Sequence, residues 1–153
     1  MTGGPNPTDR RGKRGTKRHL LTDKNGMPLS VVITAANTHD MKAAITTIDR
    51  IVVKRLSPKK ILQNLCLDKG YDFLEIEHEA VKRSYVLHIR HRGEEKTLIK
   101  NGYHTRRWVV ERTNSWHNRF RKLLIRYEKK SENYLALVCL ACCIIVYRGI
   151  ILG

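Results

Sequence analysis

A run of 13 residues without a single charge, LALVCLACCIIVY, extends from Leu135 to Tyr147 and decides much of the fold. Arg148 interrupts the run, and a membrane-spanning helix needs about 20 apolar residues, so no membrane partner is predicted. Because a helix from about Glu132 to Arg148 would be apolar on nearly all sides, the sequence predicts that it is buried against a sheet.

The run also contains three of the four cysteines. Cys139, Cys142 and Cys143 have the CxxCC spacing of some metal or redox clusters, but aliphatic residues surround them and no second ligand pair lies nearby. The sequence therefore predicts that these three, together with Cys66, are small core residues in a reducing compartment. The N-terminus has no apolar signal segment, which favours a cytoplasmic location.

The charge of the chain predicts its partner. There are 30 Lys and Arg against 14 Asp and Glu, a formal net charge of +16. A protein with such an excess usually meets a polyanion, and DNA is the predicted partner. An anionic membrane surface is the alternative, but the cations are spread along the chain rather than collected beside an apolar anchor.

The N-terminal part divides into an arm and a hairpin. Residues 1–17, rich in Gly, Pro, Arg and Lys, predict a basic flexible arm, and the domain is expected to occupy 18–153. Two strand patterns follow, RHLLTD from Arg18 to Asp23 and PLSVVITAA from Pro28 to Ala36. The turn-forming residues Lys24-Asn25-Gly26 between them predict a β-hairpin.

The middle of the chain alternates between helix and strand. Apolar residues at helical spacing predict a helix from Asp40 to Leu56, capped by Thr38 or Asp40. The short apolar run Leu65 to Leu67 predicts a buried strand that ends at an acid, Asp68. A helix over 73–83 and a strand over 85–91 follow. This order predicts an α/β domain with a mixed sheet flanked by helices.

A single acid, Glu111, lies in the basic stretch from His104 to Tyr127. Helical spacing is visible in one apolar set, comprising Trp116, Phe120, Leu123, Leu124 and Tyr127. Glu111 falls on the opposite face, and its neighbours there are Arg107, Asn114, Asn118 and Lys122. Spacing alone favours a helix salt bridge between Glu111 and Arg107, worth a few tenths of a kcal/mol when exposed. The alternative is a ligand for a hard cation such as Mg²⁺.

A cation ligand needs a partner acid, and Asp68 is the candidate. Open α/β sheets place functional groups at the carboxyl edge of their strands, although an acid there can be purely structural. Two converging acids in a basic protein would suit two-metal phosphoryl transfer. Asp72 is predicted to cap the next helix, while Asp9 in the arm and Asp23 at the turn are unconvincing third ligands.

Four long motifs are similar to those of DDE-class bacterial insertion-sequence transposases, in the second half of those proteins. They cover almost the whole chain in order: NPTDRRGKRGTKRHLLTDKNGMPLSVVITAANTHD (Asn6 to Asp40), LCLDKGYD (Leu65 to Asp72), RRWVVERT (Arg106 to Thr113) and LLIRYEKKSENYLAL (Leu123 to Leu137). The resemblance implies an RNase H-like fold in which three acids bind two divalent ions, Mg²⁺ or Mn²⁺, and cut and join DNA at the element's ends.

The resemblance also implies roles for individual residues. Asp68 matches the second catalytic acid and Glu111 the third. The family's pattern around that glutamate is Tyr, two residues, Arg, three residues, Glu, six residues, Lys. Arg107 fits it, whereas His104 replaces the Tyr and Asn118 replaces the Lys. Phosphate contacts are then expected from Arg107, Asn118 and the arm. Two further cations, Lys17 and Arg18, are expected to contact phosphate as well. Lys122, one turn beyond Asn118 on the same face, is a further expected contact.

The family's first catalytic aspartate lies on a strand upstream of the NPTDR motif, and here Asn6 is only five residues after Met1. We therefore expect a sheet that lacks its first strand, with a gap between the hairpin and the Asp68 strand. The chain would be a truncated remnant or a second-frame product whose upstream polypeptide supplies the first Asp. Alone, it is expected to bind DNA and to cleave it poorly.

Two other functions stay open on sequence grounds. One is a basic, non-catalytic DNA-binding protein in which Glu111 only pairs with Arg107, and the other is a nuclease of the same fold that hydrolyses DNA without joining it. For the transposase, a homo-oligomer associated with the nucleoid in the cytoplasm is expected.

Overall fold

The structure is a computed structural model that describes residues 15–89 and 107–152. Its elements in chain order are β1 (Thr16–Thr22), β2 (Pro28–Ala35), α1 (Met41–Asp49), β3 (Gln63–Leu67), a 3-10 turn (Lys69–Tyr71), α2 (Leu74–Lys82), β4 (Tyr85–Ile89), α3 (Arg107–Asn118), α4 (Arg121–Leu124) and α5 (Ser131–Ile150). The predicted α/β class and order of elements are confirmed.

The predicted hairpin is also confirmed, and its turn has a clear physical cause. β1 and β2 pair antiparallel, with His19 opposite Val32. The Asp23 carboxylate accepts hydrogen bonds from the backbone N–H groups of Asn25 (2.8 Å) and Met27 (2.7 Å). Gly26 has φ +81°, which glycine adopts without steric cost. Asp23 therefore organises the turn.

A parallel strand pair forms the second sheet. β3 and β4 lie in register from Gln63 opposite Tyr85 to Leu67 opposite Ile89, and α2 connects them. The N-cap position of α2 is Phe73, so the prediction that Asp72 caps this helix is wrong. The strand is less buried than predicted, because only Leu65 is fully covered.

The hairpin and the parallel pair are separate two-stranded sheets within residues 15–89 and 107–152. One mixed sheet was the coarse prediction, and two small sheets are observed. Among the described residues no strand joins the hairpin to the Asp68 strand, in agreement with the expected separation of the two. Leu21 of β1 nevertheless packs against the core that Leu65 of β3 helps to form, so the two sheets face a common core.

Two cores lie on opposite faces of the hairpin. On one face, Ser30 donates a hydrogen bond to the Thr47 carbonyl of α1 (2.6 Å), and Leu21 joins a cluster around Ile48 and Leu65. On the other face, residues of β2 and α4 pack around α5 in a cluster that contains Val31, Ile33, Phe120, Leu123, Tyr134, Val138 and Ala141. Alternation of side chains along the strands produces this division.

Helix α5 is exposed on one side, contrary to prediction. Its buried residues are Tyr134, Val138, Ala141 and Ile145, whereas Leu140 is 57% exposed. The prediction failed because α5 has neighbours only on its Val138 side within the described chain. Judged by length and composition alone, its 20 residues with mean hydropathy 1.9 are enough to cross a bilayer, a test that core helices also pass.

The cysteine prediction is likewise corrected. Cys66, Cys139 and Cys143 are exposed and only Cys142 is half-buried, since the exposed sides of β3 and α5 carry the other three.

Helix α1 is shorter than predicted. It begins after the N-cap Asp40, as expected, but ends at Asp49 instead of Leu56, and Val52, which lies within the predicted helix, is 84% exposed. The backbone N–H of Val52 donates to the Leu29 carbonyl (3.1 Å), so the chain after α1 bonds to β2 instead of continuing the helix.

Candidate active site and DNA interface

Asp68 lies where the sequence predicts, directly after β3, and it is exposed. The 3-10 turn begins at the next residue, and the backbone N–H of Tyr71 donates to the Asp68 carbonyl (2.9 Å). Burial, and after it the negative charges of Asp40 and Asp68, together raise the pKa of Tyr71 to about 12. Both carboxylates therefore lie close enough to Tyr71 to act on its hydroxyl.

Asp40 is a neighbour that the sequence prediction treated only as a helix cap. Its side chain makes no capping hydrogen bond. Instead, Asp40 Oδ1 accepts from Lys17 Nζ at 2.9 Å, and the same ammonium donates to the Thr38 carbonyl at 2.8 Å. The charge of Lys17 is thus matched within the protein, which weakens its predicted role at a phosphate.

Glu111 is exposed on α3, on the side away from the fully buried Thr113. The predicted apolar face of this helix is wrong in detail, because its buried residues are Val109, Thr113 and His117. The polar face that carries Glu111 is confirmed. Sequence periodicity missed the buried face since two of its three residues are polar.

Two residues next to Glu111 fix α3 to the hairpin turn. The Thr113 hydroxyl donates to the Gly26 carbonyl (2.6 Å), and Arg112 Nη2 donates to the Asn25 carbonyl. A Cβ on Gly26 would stand 3.1 Å from both side chains, so only glycine fits without displacement. We call these contacts the turn clamp. It positions the helix segment that carries Glu111 on the hairpin.

The guanidinium of Arg112 is held between two indoles. Its central carbon lies 4.8 Å from the centre of the Trp108 ring and 5.1 Å from that of Trp116. Cation–π attraction to both rings restricts the side chain and presents Nη2 to the turn. Both tryptophans thus support the turn clamp. The sequence pattern had placed Trp116 on the apolar face of the helix.

The turn clamp gives a stability prediction. Replacing Thr113 with Val keeps the shape but leaves the buried Gly26 carbonyl without its donor, so the free energy of unfolding should fall by about 1–3 kcal/mol. Thr113→Ser keeps the hydroxyl and should cost less than Thr113→Val. Urea unfolding followed by tryptophan fluorescence measures both, and equal losses in the two variants would show that the hydrogen bond contributes nothing.

The C-terminal end of α3 bears on the predicted DNA contacts. The helix ends at Asn118, whose Oδ1 accepts from Arg18 Nη2 at 3.2 Å. Phe120 is extended and packs, partly buried, against the core beside Leu123, and the next helix, α4, begins at Arg121. The prediction that Lys122 continues the Glu111 face is therefore wrong. Lys122 lies on α4 and is exposed.

The remaining predicted contacts cannot be placed. The side chain of Arg107 and residues 1–14 of the arm lie outside the described residues, as do Asp9 and His104. Their predicted roles stay predictions. β1 itself begins at Thr16 and includes Lys17.

A buried histidine lies beneath this surface. His117 has no exposed surface, and its Nε2 lies 3.3 Å from Cys142 Sγ. Neither His117 Nδ1 nor Arg18 Nη1 has a hydrogen-bond partner within the described chain, although both atoms are buried. Burial, and after it the positive charge of Arg18, together lower the pKa of His117 to about 4. His117 is therefore neutral at physiological pH.

The carboxylates of Asp68 and Glu111 are the donor type that a hard divalent cation needs. Asp68 lies on the β3–α2–β4 unit, and Glu111 lies on the helix that the turn clamp fixes to the hairpin. In the part of the chain that the structure describes, no group of three or more His, Cys, Asp or Glu side chains is close enough to hold a metal ion. The donor chemistry thus fits, and the ligand set is incomplete.

The site thus combines an acid that follows a parallel strand, a second acid on a helix, and a chain with net charge +16. Comparison with known proteins identifies the family. A family model described as a transposase DDE domain matches residues 2–146. A putative transposase for insertion sequence element IS402, from Burkholderia cepacia, is 37% identical over 154 residues, which cover 95% of this chain and 68% of the relative. No solved structure matches. The chain belongs to the DDE transposase family.

Proposed function

We propose that the protein acts in DNA transposition, with Asp68 and Glu111 as ligands of the divalent ions that support cutting and joining of DNA at the ends of an insertion sequence. The observation that carries this proposal is the position of Asp68 at the carboxyl end of β3, in a chain whose family is established. Two Mg²⁺ or Mn²⁺ ions in the complete site would activate the attacking oxygen and stabilise the leaving one.

The proposed fold is an RNase H-like sheet of which the two small sheets are parts. Two features support it: the element order of hairpin, helix and parallel strand pair, and the packing of Leu21 of β1 into the core of Leu65 of β3. A strand inserted between β1 and β3 would join them into one mixed sheet. It would also bring a third carboxylate beside Asp68, if it carries the family's first acid.

That strand is the proposed contribution of an upstream-frame polypeptide. The test is strand cleavage of DNA that carries the terminal sequences flanking the gene. We expect Mg²⁺-dependent cleavage when the chain is produced together with the sequence encoded immediately upstream, and little cleavage by the chain alone. Efficient cleavage by the purified 153-residue chain would contradict the need for a partner, and no cleavage by either preparation would contradict the proposed activity.

The proposed DNA surface combines the exposed Lys122 with the half-buried Arg18 at the end of α3. Arg18 and Asn118 hold each other at that end, and Lys122 lies a few residues further along the chain. Phosphate contacts of this kind fix the position of the DNA without reading its sequence. Such a role would place the chain with the nucleoid in the cytoplasm.

The salt dependence of DNA binding tests this surface. For each phosphate contact, the slope of log K against log salt concentration changes by about −0.9, so Lys122→Ala should make the slope less negative by about that amount. Lys82→Ala is the matched control, because Lys82 is an exposed lysine bonded to Glu79 (2.6 Å) on α2. Fluorescence anisotropy at several salt concentrations gives both slopes, and an unchanged slope for Lys122→Ala would remove this residue from the surface.

A non-catalytic DNA-binding protein is the second candidate. One observation favours it, namely that no cluster of three metal-binding side chains occurs within residues 15–89 and 107–152. On this alternative, DNA affinity depends on salt, and neutralising Glu111 has no effect on function.

A further inference from the structure

The exposed side of α5 has a regular pattern. The exposed residues Asn133, Ala136, Leu140, Cys143, Tyr147 and Ile150 follow one another at alternating steps of three and four. This spacing is that of the contact line between two supercoiled helices, in which successive residues are three and four apart. We call this set the α5 seam. Its geometry suits another helix better than a flat or irregular surface.

The α5 seam is neutral in a strongly charged chain. No Asp, Glu, Lys or Arg occurs from Asn133 to Tyr147, while the chain as a whole has a net charge of +16. Two copies of such a chain repel each other over most of their surface. The neutral stretch from Asn133 to Tyr147 therefore lets two copies meet without bringing cations together along this part of the contact.

Residue size selects the orientation of the pair. Along the seam, the small residues Ala136 and Cys143 alternate with the large residues Leu140 and Tyr147. In an antiparallel pair of identical helices, Ala136 lies opposite Tyr147 of the second copy, and Leu140 lies opposite Cys143. Each layer then joins one small and one large side chain, as close packing requires. A parallel pair would place Ala136 opposite Ala136 and Tyr147 opposite Tyr147.

We propose that the α5 seam is a self-association surface, on which two copies of this chain pair through antiparallel α5 helices. The contact follows a two-fold axis, so one patch serves both copies. From Asn133 to Ile150 the seam covers about five turns of helix. Because interfaces below roughly 1,200 Å² in total are typical of transient complexes, the dimer should dissociate on dilution.

Sedimentation equilibrium as a function of protein concentration tests the association. High salt should be used to screen the charge repulsion. The average mass of the wild-type chain is expected to rise from the monomer value, 17.8 kDa, towards twice that value. Leu140→Glu and Tyr147→Glu place charges on exposed seam positions and should hold the mass at that of the monomer. Val81→Glu, on an exposed position of α2, is the matched control and should associate like the wild type.

Disulfide trapping tests the orientation in a background that carries Cys66→Ser and Cys139→Ser. One variant keeps Cys143, and the other carries Leu140→Cys with Cys143→Ser. Mild oxidation of the mixture should link the two variants to each other. Preferential linkage within each variant would indicate a parallel pair and overturn the proposed orientation. Cys142 stays in place because it is half-buried against His117.

Three other outcomes would overturn the proposal. The wild-type chain could stay monomeric at every concentration. It could associate equally well after Leu140→Glu, which would place the contact elsewhere. It could instead stay monomeric and bind lipid vesicles in a manner that Leu140→Glu abolishes, which would make a bilayer the occupant of the seam. Circular dichroism of each variant shows that the fold is retained.

Discussion

Asp68→Asn and Glu111→Gln each neutralise one proposed ligand. Each is expected to abolish divalent-ion-dependent strand cleavage by the chain produced together with the upstream sequence, while DNA binding is retained. Each substitution keeps the size of the side chain and removes the negative charge that a hard cation requires. Loss of an outer-shell partner already costs about 10–100-fold in metal affinity or activity, so loss of a direct ligand should exceed about 100-fold. Both residues are exposed, and the fold should tolerate the change.

Three measurements together make this prediction specific. Cleavage of end-containing DNA measures activity, anisotropy measures DNA affinity, and Mn²⁺ titration followed by the fluorescence of Trp108 and Trp116 measures ion binding near Glu111. Glu75→Gln, an exposed glutamate in the first turn of α2, is the control and should behave like the wild type. Wild-type cleavage and ion binding by Glu111→Gln would favour the non-catalytic DNA-binding protein.

Protonation of a buried histidine should destabilise the protein as the pH falls. The pKa of His117 is lowered from 6.5 to about 4 in the folded chain, first by burial and then by Arg18. The unfolded chain therefore binds more protons between these two pH values, and the free energy of unfolding falls as the pH drops from 6.5 towards 4. For this shift, the loss is about 3 kcal/mol. His19 contributes in the same direction, since burial also lowers its pKa.

His117→Phe removes the titrating group and fills the same space, so the fall in stability across this pH range should be smaller than in the wild type. Urea unfolding at pH 7 and at pH 5 measures the difference for each variant. His78→Ala, which removes an exposed histidine on α2, is the variant for comparison. The assignment to His117 would fail if His117→Phe and wild type lost stability equally.

Local sequence signals predicted the parts of the fold that local physics determines. The Asn25-Gly26 turn, the strand that ends at Asp68 and helix α2 are all present close to their predicted bounds. In each case turn chemistry or a short apolar run is enough to define the element. The Glu111 face of α3 was predicted for the same reason, because a polar face of a helix is visible in its spacing.

The parts that the sequence did not reveal depend on tertiary contacts. Helical spacing continued smoothly from Trp116 to Tyr127, yet the helix ends at Asn118, and Phe120 is extended and packs, partly buried, against the α5 core. Two polar residues, Thr113 and His117, form the buried side of α3, because their partners are a turn carbonyl and a thiol on distant segments. Apolar periodicity cannot detect such partners.

The position of Asp40 was missed in a similar way. It was predicted as a cap from its place before α1, and its actual partner is an ammonium on β1. Lys17 is 23 residues away in sequence, so no helical or strand spacing connects the two. Because the Lys17 ammonium is paired with Asp40, it is less available for the predicted contact with a DNA phosphate.

The alternation of side chains along β1 divides the neighbourhoods of the two proposed ligands, Asp68 and Glu111, between odd-numbered and even-numbered positions. Lys17, His19 and Leu21 face α1 and the Asp68 side, whereas Arg18 faces α3 and the Glu111 side. A genetic screen along this one strand would therefore find two different phenotypes, one for odd-numbered residues and one for even-numbered residues. Substitutions at odd-numbered positions of β1 should affect the surroundings of Asp68, and those at even-numbered positions the surroundings of Glu111. A second substitution in β1 that restores function should therefore lie on the same face of the strand as the first.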